Sequence, residues 1–427
     1  MFKLNHHFSI PPTVMALSIV SLIVMMGSTM VTPSLTLYAK QALGADEFIV
    51  GTVIAGFAIG RLAFDIPAGF LADRLGIKKT MILGLGVLVG SSMVAGIAAN
   101  YEVLLGARIL EGIGSSIYVG AAVSFVLISS DAKQRGTNMG TYQSILMFGP
   151  IAGPVVGAPI AAFFGYNAPY FAFAGMMLLA MLTVSILLYM GRFDIKRVTS
   201  YNEAIRNSPV NVAIYLNTAS IATFGFTFLR SGVYTTGMPL FAYGHLGLTV
   251  FDVGITLTMA SIANLITSFF SGRFTQVYGM QKPLFAVILF SAVLVAIIPL
   301  TSTTIQLLTV MIFVGVCSGF FGQSIAWAAQ QIEEKVKKVQ ESSSIDTRAR
   351  LGMHSHVTRG IGFNRMVGDS GLILGPLFVG YLISIFSKDP LLWFVAFGST
   401  SAVLAVVSFL IVSIDFMFRS RATLPLQ

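Results

Sequence analysis

The stretch Gly69-Phe-Leu-Ala-Asp73-Arg74-Leu-Gly76-Ile-Lys78-Lys79 separates two long apolar segments with the densest charge cluster in the first half of the chain. A weaker echo, Gly272-Arg273-Phe-Thr-Gln276-Val-Tyr-Gly279-Met-Gln-Lys282, stands 203 residues later. Glycines bounding a turn, basic residues between apolar runs and a fixed repeat distance predict a hairpin on the cytoplasmic side of a membrane, built twice.

Composition supports a membrane setting. Of 427 residues, 55% are hydrophobic and 10% charged, with a mean hydropathy of +0.84. Soluble domains carry about 25% charged residues, so a water-facing surface is hard to build from this alphabet. Apolar windows near twenty residues recur and read as membrane-spanning helices. The formal charge of +9 does not indicate nucleic acid, because the basic residues sit in short loops between apolar spans. Cys317, the single cysteine, lies inside an apolar run, so neither a disulfide framework nor a thiolate metal site is expected. His354 and His356 read as loop residues without a metal. The first apolar run is too long for a signal peptide and lacks a small-residue cleavage site, so it reads as a permanent span.

Spans are expected at about 12–37, 47–71, 80–98, 103–128, 136–162 and 168–190, then 210–236, 248–271, 283–300, 304–330, 360–384 and 389–415. That pattern makes an all-α integral membrane protein of twelve transmembrane helices in two six-helix halves: 1–190, a cytoplasmic linker 191–209, and 210–427. With both termini in the cytoplasm, twenty of the 26 Lys and Arg residues fall in cytoplasmic loops or tails, and only Lys40 and Lys388 fall outside. This asymmetry follows the positive-inside rule for a multi-pass cell-membrane protein.

Recurring residues support duplication. Leu43-Gly44, Gly51, Gly69, Gly76, Lys79, Leu104-Leu105 and Gly112 each have a counterpart 203 positions on. Gly140 and Gly153-Pro154 match Gly362 and Gly375-Pro376 at an offset of 222, which locates a 19-residue insertion in the cytoplasmic loop of about 331–359. That loop is rich in Glu, Lys and Arg and is expected to be solvated. Two six-span halves in parallel orientation, with the substrate between them, are a transporter architecture that works by rocking.

The motifs now carry a family resemblance across essentially the whole chain. Gly69-x-x-x-Asp73-Arg74-x-Gly76-x-Lys78-Lys79 resembles the signature between spans two and three of major facilitator superfamily transporters. Arg108-x-x-x-Gly112-x-Gly114 is similar to that superfamily's second signature. Gly149-Pro150-x-x-Gly153-Pro154-x-x-Gly157 resembles the packing motif of its antiporters, within the drug:proton branch. The resemblance implies a cytoplasmic gate at Gly69, Asp73, Arg74, Gly76 and Lys79, meeting Arg365 and Asp369 of span eleven. The second-half echo departs from the pattern, with Gln276 where the first half has Asp73. The span-five glycines and prolines are expected to form a thin surface against span eight.

Charges inside spans are costly and mark function. Arg61 and Asp65 are four apart on span two, Arg108 and Glu111 three apart on span four, and Arg365 and Asp369 four apart on span eleven. These spacings put each pair on one helical face. Arg230 has no acidic neighbour in sequence. Burial of a carboxylate favours its neutral form unless a cation compensates, which makes Glu111 the first proton-coupling candidate, with Asp65 second and Arg108 as exchangeable partner. If spans one, four, seven and ten line a cavity, the candidate lining residues are Tyr118, Asn217, Phe226, Arg230, Gln323 and Trp327, with Tyr142 and Gln143 from span five.

Enzyme chemistry has no adequate signal: no GxxxxGK[ST] phosphate loop, metal-ligand cluster or nucleophile–base set occurs. No cofactor is expected, and the driving force is expected to be the proton gradient. The leading expectation is a proton-coupled exporter of amphipathic organic compounds or drugs. The alternative is a transporter of a small organic anion, in which Arg61, Arg108 and Arg230 would supply the carboxylate or phosphate site. Membrane lipids, a small-molecule substrate and protons are the expected partners, and one monomer can contain the whole pathway.

Overall fold

The computed structural model describes residues 11–130, 134–190, 218–342, 348–386 and 392–422, and every regular element among them is helical. The 191–209 link, Asn217 and the side chains of Asp73, Arg365, His354 and His356 lie outside the described residues. The chain begins with α1 (Pro12–Met30) and α2 (Thr32–Leu37), continued by a π-helical turn (Tyr38–Ala42). Then follow α3 (Glu47–Leu75), α4 (Ile77–Gly96), α5 (Tyr101–Ile128), α6 (Arg135–Leu146), α7 (Gly149–Phe164) and α8 (Ala168–Tyr189). After the link come α9 (Thr218–Phe228), a π-helical stretch (Leu229–Gly237) and α10 (Met238–Gly244). The chain continues through α11 (Val250–Tyr278), α12 (Gln281–Ile297), α13 (Thr304–Ser318), α14 (Phe321–Ser342), α15 (Arg348–Phe386) and α16 (Leu392–Ala422).

Eleven of the described helical segments are long and apolar enough to cross a membrane. The expected seventh span is seen from Thr218 as α9, the π-helical stretch and α10. Large apolar side chains such as Phe163, Val277 and Ile305 stand outward, each more than 70% exposed. Such a surface suits hydrocarbon rather than water.

The charged interruption at Gly69–Lys79 is not a loop. Helix α3 continues through Asp73 to Leu75, and α4 starts at Ile77. Gly76 alone breaks them, with φ of 82°, a left-handed conformation that glycine adopts without steric cost. Gly279, 203 positions on, makes the same break between α11 and α12 with φ of 79°. The expected 331–359 loop is likewise shorter than read: α14 runs to Ser342 and α15 starts at Arg348. Glu333 and Glu334 precede Lys337 and Lys338 by four residues, a spacing that supports helix over coil.

The 203-residue offset reappears in local structure. Asp46 caps α3 by accepting from the Ile49 N–H, and Thr249 caps α11 through a reciprocal bond with Asp252. Asn100 caps α5 through the Val103 N–H, and Thr303 caps α13 through the Gln306 N–H. A Cβ on Gly112 would overlap the Phe57 carbonyl, and one on Gly315 would overlap the Ala260 carbonyl. Each of these pairs is separated by 203 positions, so the sequence repeat encodes matching caps and matching helix crossings.

The glycine–proline motif of α7 corrects one expectation. Its glycines face α1: a Cβ on Gly149 would meet Met25, one on Gly153 the Thr29 hydroxyl, and one on Gly157 the Met30 carbonyl. Thr29 Oγ1 also donates to the Gly149 carbonyl at 3.0 Å. The seam with α11 is made by Ala158, against which a Cβ on Gly254 would collide, and by Pro154 of the motif, whose carbonyl oxygen lies 3.4 Å from that Cβ position. Pro150 opens α7 within its first turn, whereas Pro154 lies inside it, so the motif shapes a helix with a smooth face for α1.

Candidate functional site

The α3–α5 crossing positions the first cluster. Gly60 and Gly112 let the two backbones approach until a Cβ on either would strike a carbonyl of the other helix. Beside this contact, Arg108 Nη1 donates to Glu111 Oε2 at 2.7 Å, and the Arg108 guanidinium lies 5.1 Å from the centre of the Phe57 ring. Glu111 is fully buried, and its Oε1 has no hydrogen-bond partner among the described residues. Tyr170 of α8 stands within electrostatic reach of both groups. One turn along α5 from Gly112, Ser116 donates to Asp65 Oδ1 at 2.6 Å.

The second cluster joins three separate elements. Arg61 of α3 pairs with Asp369 of α15, Nη2 to Oδ1 at 3.2 Å. Sequence spacing alone puts Arg61 with Asp65, so this inter-helix pairing is a correction, while the Arg365 side chain, the expected partner of Asp369, lies outside the described residues. Its cause is close packing: a Cβ on Gly380 would sit 2.7 Å from the Glu47 carbonyl oxygen, and one on Gly51 would overlap the Pro376 carbonyl. That approach brings a carboxylate of a different helix to Arg61.

Arg230 belongs to the π-helical stretch of Leu229–Gly237, a helix form that recurs at functional sites. The stretch is pinned to α15 by Ser231 Oγ donating to the Leu372 carbonyl at 3.0 Å and by the approach of Gly232 to Gly375. Arg230 is exposed although its neighbours in sequence are buried. Among the described residues it makes no hydrogen bond or ion pair, and its stretch packs against α3, the helix of Arg61. Its side chain is accessible in a stretch whose flanking residues are packed.

Most other cavity candidates among the described residues are packed. Tyr118 and Tyr142 are fully buried and share Ser21 of α1, with oxygen separations of 2.8 Å and 3.1 Å. Phe226 and Trp327 are buried, and Phe226 meets Phe321 edge-to-face at 6.4 Å. Gln323 donates to Ser271 Oγ and accepts from Thr275 Oγ1, both at 3.2 Å, which ties α14 to α11. Gln143 is exposed. Hydropathy could not separate these cases, because it tells nothing about which helix stands opposite.

Contacts unforeseen in the sequence close the face opposite Gly76 and Gly279. The Tyr243 hydroxyl donates to the Pro33 carbonyl, and Leu37, Ala158, Ala161 and Val250 form a small apolar cluster. Beside them lies a cavity of about 560 Å³ lined by Gln41, Tyr166, Tyr243 and Thr249, among others. Among the described residues no group of three or more metal-binding side chains occurs.

Over residues 17–334 the chain matches the sequence profile described as Major Facilitator Superfamily. It is 27% identical over 271 residues to Multidrug resistance protein 2 of Bacillus subtilis (strain 168), covering 62% of this chain and 67% of that protein. It is 21% identical over 392 residues to Quinolone resistance protein NorA of Staphylococcus aureus (strain MRSA252), covering 90% and 93%. The crystal structure of nucleoside transporter NupG shares the fold with a TM-score of 0.70 at 15% identity, over 95% of this chain and 99% of that chain. That of a POT family transporter in complex with 5-aminolevulinic acid does so with a TM-score of 0.71 at 12% identity, over 98% of each. At such identities the likeness is one of fold. With membrane-length helices and a profile match spanning most of its length, this secondary active transporter, not an enzyme, belongs to the Major Facilitator Superfamily.

Proposed function

We propose that the chain exports amphipathic organic compounds by proton-coupled alternating access between two six-span bundles, 1–190 and 210–427. In this scheme the 191–209 link and both termini are cytoplasmic, one copy holds the whole pathway, and the proton gradient replaces any cofactor. The observation that carries the reading is closure on one face by contacts between the two proposed bundles. Tyr243 bonds to Pro33, Gly254 abuts Ala158 and Gly51 abuts Pro376, while Arg230 remains exposed. Those three contacts join α10 to α2, α11 to α7 and α15 to α3, each pairing one proposed bundle with the other. The opposite, cytoplasmic face then supplies access, and Gly69, Asp73, Arg74, Gly76 and Lys79 with Arg365 and Asp369 act there as the gate. The names of the Bacillus and Staphylococcus relatives support export of drug-like compounds.

Glu111 carries the proton, with Arg108 as the partner it leaves on protonation and Asp65 as a second carrier nearer the cytoplasm. A fully enclosed carboxylate with one oxygen unbonded costs less when neutral, so a conformation that removes Arg108 favours protonation. The test is Glu111→Gln in proteoliposomes with an imposed pH gradient. Loss of substrate-linked proton movement is expected; unchanged coupling overturns the assignment.

A further inference from the structure

Arg108 and Arg61 each have a described carboxylate partner, in Glu111 and Asp369. Arg230 has none among the described residues, and its π-helical stretch packs against both α15, which carries Asp369, and α3, which carries Arg61. Bringing two guanidinium groups together inside a low-dielectric bundle is unfavourable unless an anion compensates them. Arg61 also keeps its Nε buried without a hydrogen-bond partner, so it has donor capacity beyond its contact with Asp369. Two features show that the arrangement is built. The π-helical stretch holds Arg230 within the bundle through Ser231 and Gly232 against α15. The α3–α15 packing holds Arg61 opposite, through Gly51 and Gly380.

We infer that Arg230 and Arg61 form an anion subsite that takes the carboxylate of an amphipathic organic acid, a substrate class that rests on the export reading above. Guanidinium groups suit this chemistry because their planar donors match a carboxylate in bidentate geometry. The π-helical stretch presents Arg230 and α3 presents Arg61. An acid bound to both joins helices assigned to different bundles and so couples binding to their relative motion. Arg108 takes no part, since it is buried and already held by Glu111.

The test uses the full chain in lipid nanodiscs, titrated with dansylglycine, its methyl ester and dansylcadaverine, a carboxylate, a neutral compound and an amine on one fluorophore. The same compounds are followed in proteoliposomes under a proton gradient. Dansylglycine is expected to bind about tenfold or more tightly than its ester, the effect of one charge-assisted contact. Arg230→Gln is expected to remove that preference and Arg230→Lys to keep part of it. A wild-type chain that binds the ester or the amine at least as tightly as the acid overturns the inference, as does a preference that survives Arg230→Gln. If Arg230→Gln binds nothing, Arg230→Lys decides: a retained acid preference supports the subsite, and its absence overturns it. Acid binding that depends on Arg230, without gradient-driven movement of any dansyl compound, supports the subsite and refutes proton-coupled export. Gradient-driven movement of ester and amine with no acid binding does the reverse.

Discussion

Gly112→Ala is the most direct probe of the packing that sets the Arg61 and Arg108 positions. A Cβ there would overlap the Phe57 carbonyl oxygen and lie 2.9 Å from the Arg61 amide nitrogen. Both are backbone atoms, so no rotamer change relieves the clash and α3 must move from α5. Overpacking of this kind costs up to about 3 kcal/mol, while replacing glycine in a helix returns about 1 kcal/mol. The net expectation is a loss of about 2 kcal/mol, a factor of roughly 30 in the folded ratio. Gly106 on the same helix supplies the control, since a Cβ there meets nothing within 4 Å. Gly106→Ala should therefore be neutral or stabilising by up to about 1 kcal/mol. Gly315→Ala should repeat the Gly112 result, because it meets the Ala260 carbonyl in the corresponding crossing. Thermal inactivation of purified protein in detergent compares the three variants as rates, the appropriate measure where unfolding is irreversible. If Gly112→Ala survives heating as well as Gly106→Ala does, close backbone contact does not set the α3–α5 crossing.

Other contacts give independent checks. Tyr243→Phe deletes the hydrogen bond to the Pro33 carbonyl, worth about 0.5–1.5 kcal/mol; labelling of Val250→Cys by an impermeant maleimide should rise about two- to tenfold, and unchanged labelling would show that this bond does not hold the face shut. Asp369→Asn leaves Arg61 without its carboxylate. Because the Arg61 side chain is 21% exposed, solvent reduces the penalty below that of a fully buried pair, to about 1–3 kcal/mol. The double variant Arg61→Gln/Asp369→Asn should recover part of that stability, and strict additivity of the two single losses would deny the pairing. Asp73→Asn should slow transport far more than Gln276→Ala, and equal rates would remove the gating role assigned to Asp73.

Much of the membrane architecture was readable from local chemistry. Apolar windows near twenty residues predict helices in hydrocarbon whatever their neighbours, because each helix satisfies its own backbone. The repeat was equally visible, since Gly76 and Gly279 had to be glycine for the same left-handed break. The pair Arg108 and Glu111 was legible because three-residue spacing on one helix brings side chains together without help from elsewhere. Four-residue spacing misled for Arg61: a closer partner arrived from α15. Likewise Tyr118 and Tyr142 look like cavity residues in isolation, and only their shared contact with Ser21 shows them to be packing groups.

By itself the sequence determined which stretches form membrane-length helices and where local features repeat, since these depend on composition and capping along the chain. It also set where the backbone breaks: the interruption at Gly69–Lys79 contains a single residue that leaves the helix, Gly76. Tertiary structure decided which helices meet and hence which charges are neutralised. The glycines of the α7 motif turned to α1 while Pro154 and Ala158 met α11, Arg61 found Asp369, and Arg230 was left accessible without a described carboxylate. These outcomes depend on side-chain volume and backbone approach between segments more than a hundred residues apart in the chain, which no local pattern records.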